Sequence, residues 1–272
     1  MESNEANPEI QYTEEQAPVV ARTQLYGFFS KVFGEPWHDR FEELCENEVR
    51  DRILMSFRLL ESESPRVAPA HEDECLAHDV NLETFFDEWD LNDIRNEHRE
   101  VFGLTISEDC PPHEVEYCEK TDLFYRSQLM ADVGAFYNAF GLEISDEAPE
   151  RVDHVRLELE FMQFLLSKRL YGEARDHDET DLETVTDATE QFFEEHVGWW
   201  IPTFGRSVEE YPESQFYARA ARLLRWFCTH ERLRFGFNVF DERPEPNVPD
   251  QQPEATCFEC NVDEQPQSAG GV

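Results

Sequence analysis

Two long apolar stripes at helical spacing, joined by a short proline-bearing link, constrain this chain more than any other feature. In the first, Leu129, Val133, Phe136, Tyr137 and Phe140 recur at steps of three and four, one face of an α-helix. Thr121 or Asp122 can cap its start, and Gly141 can take the left-handed conformation that ends it. The second stripe is Val155, Leu159, Met162, Leu166 and Leu170, with Gly172 as its stop. Between them Ser145 to Pro149 forms a polar hinge that leads to Asp153-His154. The pattern predicts two core helices flanking an Asp-His step, with the extended segment Cys110 to Tyr117 ahead of them. Sustained period-two alternation occurs nowhere, so the fold class is all-α.

The same spacing places a helix over Glu15 to Phe33, ended by Gly34 and Pro36, and two more over Trp37 to Leu60. Glu61 to His78 reads as a loop. A pattern from Val80 to Trp89 continues through Ile94, His98, Val101 and Phe102 to Gly103. Leu182 to Val197 forms a stripe that Pro202 closes, and Ser214 caps a last helix from Phe216 to Phe227. The expected organisation is a disordered acidic arm over 1–14, one domain of about ten helices over 15–237, and a disordered proline-rich tail over 238–272.

Charge narrows the partners. The formal net charge is -38, and only three of the 23 basic residues are lysines, Lys31, Lys120 and Lys168. Acids dispersed along the whole chain, with arginine preferred to lysine, point to a high-salt cytoplasm, where salt screens the self-repulsion; a surface built for a basic partner is the other reading. No basic patch exists to neutralise phosphates, which argues against nucleic acid. No apolar run reaches ~18 residues and the N-terminus lacks an export signal, so a cytoplasmic protein without membrane insertion is expected. Seven cysteines without framework spacing fit reduced thiols.

Several residues carry candidate chemistry. Cys257-Phe258-Glu259-Cys260 has the spacing of half a zinc site or of a redox pair, but lacks a second such pair and a preceding βα unit; an exposed dithiol is the plain reading. His71, Cys75 and His78 lie in an acidic loop. No catalytic set, metal site or cofactor is otherwise indicated. Asp153-His154 can be a helix cap formed by Asp153, a base and its orienter, or a polar anchor at the edge of a groove. Pro111-Pro112-His113-Glu114 forces extended backbone, which would point Glu114 and Glu116 to one side and Val115 and Tyr117 to the other. That segment is then either a connector or a rigid rim presenting carboxylates and an imidazole beside Phe102 and Tyr117.

Phe102-Gly103, the run Cys110 to Tyr117, Asp132-Val133 with Phe136-Tyr137, Phe140-Gly141-Leu142, and Asp153-His154 with Glu158 to Met162 together resemble the TorD/DmsD/NarJ family over about Val19 to Arg232. The resemblance implies an all-helical fold, no turnover, and a cytoplasmic chaperone dedicated to a molybdoenzyme. Its partners would be the twin-arginine signal peptide and the catalytic subunit, held until cofactor insertion, with a monomer or a domain-swapped dimer as the working unit. It implies signal-peptide-binding roles for Phe102, Pro112, Asp153 and His154 and an acidic slot at Glu114, with His113 replacing the usual aromatic. Pro111, Glu116 and Tyr117 complete the candidate set. An all-α hydrolase or nucleotide-processing enzyme using Asp153-His154 is the competing reading; it lacks a glycine-rich phosphate loop.

Overall fold

A computed structural model of the chain describes residues 12–37, 39–63, 85, 90–103, 107–119, 122–145, 150–175, 177–237 and 246. Among these are a four-residue helical turn at Asp39–Glu42, eight α-helices of ten or more residues and no strand: α1 Ala17–Val32, α2 Asn47–Glu63, α3 Leu91–Phe102, α4 Leu123–Ala139, α5 Val155–Ala174, α6 Glu179–Phe192, α7 Ile201–Glu210 and α8 Phe216–Phe235. The arm over 1–11, the His71/Cys75/His78 loop, Val80, Leu82, Phe86 and Trp89, and the tail with Cys257 and Cys260 lie outside the described residues. No helix among the described residues is long and apolar enough to cross a membrane. Cys45, Cys110, Cys118 and Cys228 are free thiols.

The fold is built outward from α1 and α5. The whole Val155-Leu159-Met162-Leu166-Leu170 stripe is buried, as its spacing predicts, and α1 packs between α5 and α2. On the other side α7 packs against α8. Aromatic rings join these layers: Phe29 stacks on Phe227 with centroids 5.6 Å apart, and Phe102 lies between Phe204 and Tyr217. Burying such rings contributes more apolar area per residue than any aliphatic.

Several boundaries differ from the sequence-based expectation, each for a physical reason. α5 runs past Gly172 to Ala174; a Cβ at Gly172 would stand 2.8 Å from the Leu182 side chain, so this glycine admits α6 rather than stopping α5. Pro202 opens α7 instead of closing the preceding helix, because a first-turn residue has no intrahelical use for the N–H that proline lacks. The helix before it ends in a π-turn, Phe193–Val197. Ser214 does not cap α8. The buried Glu97 carboxylate, reaching across from α3, accepts the backbone N–H groups of Gln215, Phe216 and Tyr217 at 2.7, 3.0 and 2.8 Å. Gly141 behaves as expected, with φ +73° and the Leu142 N–H closing on Tyr137 O at 2.9 Å.

The first stripe forms α4. Asp122 caps it, accepting the N–H of Tyr125, and one face of the helix packs on the core while its first turn stays exposed. Only Arg126, Val133 and Tyr137 are buried, while Leu123 and Phe124 are 79% and 80% exposed. Leu123 and Phe124 lie outside the predicted stripe, whose Val133 and Tyr137 belong to the core and whose Phe136 and Phe140 pack against it.

Candidate functional site

The segment Pro111 to Tyr117 meets the start of α5 in a backbone clasp. The N–H of Glu114 donates to Asp153 O at 3.0 Å and that of Val155 to Pro112 O at 2.9 Å, so His113 and His154 face each other as an isolated antiparallel bridge. The proline pair keeps residues 111–113 extended, as predicted. Glu114–Tyr117 then closes into a 3-10 turn, not a continued strand. Glu114 and Glu116 therefore do not line one exposed side; both are buried, as are Val115 and Tyr117.

Each buried carboxylate has its own partners. Asp153 accepts from the Arg151 guanidinium at 2.8 and 2.6 Å and from the Val115 N–H at 3.2 Å. Burial acts to raise its pKa, but the Arg151 pairing outweighs this and holds it below the ordinary aspartate value. Glu116 bridges two guanidinium groups, Arg151 at 3.0 Å and the buried Arg126. Glu114 receives the indole N–H of Trp199 at 2.7 Å and lies 3.2 Å from His196 Nδ1 in the π-turn; burial pushes its pKa up to about 7 against the pull of those two partners. Glu158, fully buried, accepts from Trp200 Nε1 at 2.9 Å. Its pKa is raised by burial and by the neighbouring Glu114 and Asp153.

The Asp-His step is not the cap that the sequence suggested. His154 is the N-cap of α5: its Nδ1 accepts the N–H of Arg156 at 3.1 Å. Asp153 and His154 thus serve different partners and do not form a carboxylate–imidazole dyad. The His113 and His154 rings meet edge to face, with centroids 5.0 Å apart. His98 contributes a third imidazole, set among Trp37, Phe102 and Tyr217. Burial, reinforced by His154, lowers His98 to about 4 and His113 to about 3; His154 is itself lowered by burial, against Glu150 and Asp153.

Beside this clasp lies a cleft of about 300 Å³ lined by Leu142, Ile144, Leu157, Phe161 and Phe164, with Glu143, Glu160 and Arg156 among its polar residues. Two lining residues tie it to the step: the Tyr137 hydroxyl donates to Val152 O at 3.0 Å, and the Arg156 N–H meets His154. The candidate set therefore divides. Pro111, Pro112, Glu114, Glu116, Tyr117 and Asp153 are interior; Phe102 is a core ring; the edges of His113 and His154 reach the surface. Sequence reasoning missed Arg126, Arg151, His196, Trp199 and Trp200. Arg151, two residues before Asp153, was the one with a local signal. Among the described residues no three His, Cys, Asp or Glu side chains are placed to hold a metal ion.

Comparison with known proteins agrees with this architecture. The family model described as nitrate reductase delta subunit matches residues 71–206, half of the chain. A chaperone protein TorD of Vibrio parahaemolyticus is 26% identical over 219 residues, covering 76% of this chain and 91% of the relative. A TorD of Vibrio vulnificus is 22% identical with the same coverage. The selenate reductase assembly chaperone protein of Thauera selenatis is 31% identical over 84 residues, 31% of this chain and 42% of that protein. With its helical fold, its proline-led clasp on the Asp-His step and this match to half its length, the chain belongs to the TorD/DmsD/NarJ family.

Proposed function

We propose that this protein is a maturation chaperone for the catalytic subunit of a molybdenum oxidoreductase, which it holds in the cytoplasm through that subunit's twin-arginine leader until the cofactor is in place. The observation that carries this reading is the apolar cleft beside the His113–His154 clasp. A leader of this kind offers two guanidinium groups and then an apolar run. The run suits a lining of Leu142, Ile144, Phe161 and Phe164, while Glu143 and the Arg156-paired Glu160 set carboxylates at the cleft for guanidinium N–H groups. The interior carboxylates Glu114, Glu116 and Asp153 fix the clasp beside the cleft, and Arg156, which lines the cleft, donates its N–H to His154. The relatives named as chaperones support the reading, the selenate reductase chaperone in particular for an oxidoreductase client.

The competing hydrolase reading required Asp153 to orient His154, and the two side chains are engaged elsewhere. To test the proposal, the full chain is purified from its native cells with bound clients, and a peptide of the client's leader is titrated against it at low and molar potassium chloride. Recovery of a leader-bearing molybdoenzyme subunit, with an affinity that persists in high salt, is expected. In molar salt the Debye length is about 3 Å, so contact hydrogen bonds and apolar burial must carry recognition. Absence of peptide binding under both salt conditions, or binding that collapses in high salt, would sink the proposal.

A further inference from the structure

Arg151 occupies a pair of carboxylates that could seat one of the leader's two guanidinium groups, the other being left to the acids of the cleft. Its Nε and Nη2 form a fork on Asp153 at 2.8 and 2.6 Å, and its Nη1 reaches Glu116 at 3.0 Å. The two carboxylates are 0% and 3% exposed, whereas the Arg151 side chain is 33% exposed, so it covers them from the solvent side. Arg126, the other partner of Glu116, is only 9% exposed and belongs to the interior. We propose that Arg151 is an internal ligand that occupies, in the free protein, the Asp153–Glu116 seat for one leader guanidinium, so that leader binding proceeds by exchange of one guanidinium for another.

Charge and geometry both favour exchange over addition. Asp153 and Glu116 carry two negative charges, and Arg126 and Arg151 carry two positive ones. A third guanidinium entering beside them would leave a buried cation without a counter-charge, which is strongly unfavourable. Replacing Arg151 keeps the group neutral and recreates the same bidentate fork, a geometry lysine does not reproduce. Because one contact pair replaces another, exchange is nearly indifferent to ionic strength. Arg151 then sets selectivity: a peptide must present a guanidinium good enough to displace it.

This inference rests on the leader-binding reading, and its test separates the two. Fluorescence anisotropy compares a labelled twin-arginine leader peptide with its twin-lysine counterpart, in molar potassium chloride, on the full chain and on three variants. Arg151→Gln vacates the seat. Arg151→Lys keeps the charge without the fork. Arg222→Gln removes an equally exposed arginine from an ion pair with Glu209 elsewhere. If the self-occupied state holds about nine-tenths of the molecules, Arg151→Gln binds the twin-arginine peptide about tenfold tighter than the parent. Arg151→Lys shows a smaller gain in the same direction, the twin-lysine peptide gains less, and Arg222→Gln is unchanged. A folded Arg151→Gln that binds no tighter than the parent overturns the inference while leaving the leader reading intact. Should Arg151→Gln fail to fold, Arg151→Lys decides by the same criterion. If neither the parent nor any variant binds the peptide, the leader reading itself fails and the inference falls with it.

Discussion

Replacing Glu97 by alanine tests how α8 is held. Its carboxylate accepts three successive backbone N–H groups at the start of that helix. Phe216 is 4% exposed and Tyr217 0%, so their amides cannot turn to water when the acceptor is removed. Gln215 is exposed, and its amide can. Each stranded buried donor costs ~1–3 kcal/mol. The lost interaction of a carboxylate with a helix N-terminus adds up to ~2 kcal/mol, partly offset because a buried charge no longer has to be desolvated. The expected net loss is about 3 kcal/mol, or roughly 6–12 °C in Tm for a chain of this size. Urea unfolding followed by tryptophan fluorescence measures it directly. Glu97→Gln keeps one oxygen for Gln215 and Tyr217 but sets an NH2 against the Phe216 N–H, so about 1–2 kcal/mol is expected. An alanine variant losing under about 1 kcal/mol, or glutamine and alanine variants equal in cost, would refute the capping argument.

Asp153→Asn weakens the Arg151 fork, although Arg151 keeps Glu116 and is one-third exposed, and should cost ~2–3 kcal/mol of stability, read as a shift in urea midpoint. His154→Ala removes only the N-cap and should cost about 1 kcal/mol, so the two variants separate clearly by chemical denaturation. Acid sensitivity follows from the imidazoles. His98, facing His154 and Arg99, and His113, facing His154, Arg151 and Asp153, sit near 4 and 3 when folded, below the unfolded value near 6.5. The unfolded chain therefore takes up protons that the native state refuses, and stability falls as pH drops from about 6.5 to 4, by roughly 3 kcal/mol for His98 alone. Glu114, raised to about 7, works in the opposite direction: its contribution is full below 4.5 and is lost as pH rises through 7. Glu114→Gln should therefore steepen the acid decline and a neutral His98→Phe should flatten it, measured as urea midpoints from pH 4.5 to 7.5. Gly172→Ala drives a methyl group to 2.8 Å from Leu182 and should cost ~1–3 kcal/mol by overpacking, with a lower Tm and no change in peptide affinity per folded molecule.

How much of this was legible beforehand depends on what each feature is made of. The α5 stripe was readable because its apolar residues repeat on one face and all five are buried. The α4 stripe was readable in the same way, since Val133 and Tyr137 are buried and Leu129, Phe136 and Phe140 half-buried, whereas the apolar Leu123 and Phe124 outside it are exposed. Helix ends set by local chemistry, such as Asp122 and Gly141, were found. The start of α8 was not, because its acceptor comes from Glu97, more than a hundred residues earlier. The site failed in the same way. Extended geometry was right for Pro111 to His113, but the bend after it depends on Asp153 O accepting from Glu114, a long-range contact with no sequence signature. Carboxylates that looked available for a partner proved to be held by Arg126, Arg151, His196 and Trp199, the last two distant in sequence from the clasp.

The clasp also divides the molecule by durability. Because Pro112 and Val155 are bonded to each other, the chain from Cys118 to Val152 leaves and returns at nearly one point, and α4 is an excursion that rests on the core by one face, with most of its other side chains exposed. Its amides should exchange with solvent deuterium through partial openings that leave α1, α5 and α8 protected, long before whole-molecule unfolding. Helical geometry alone would give these four helices equal protection; the closed neck beneath α4 lets it come loose without disturbing the helices below.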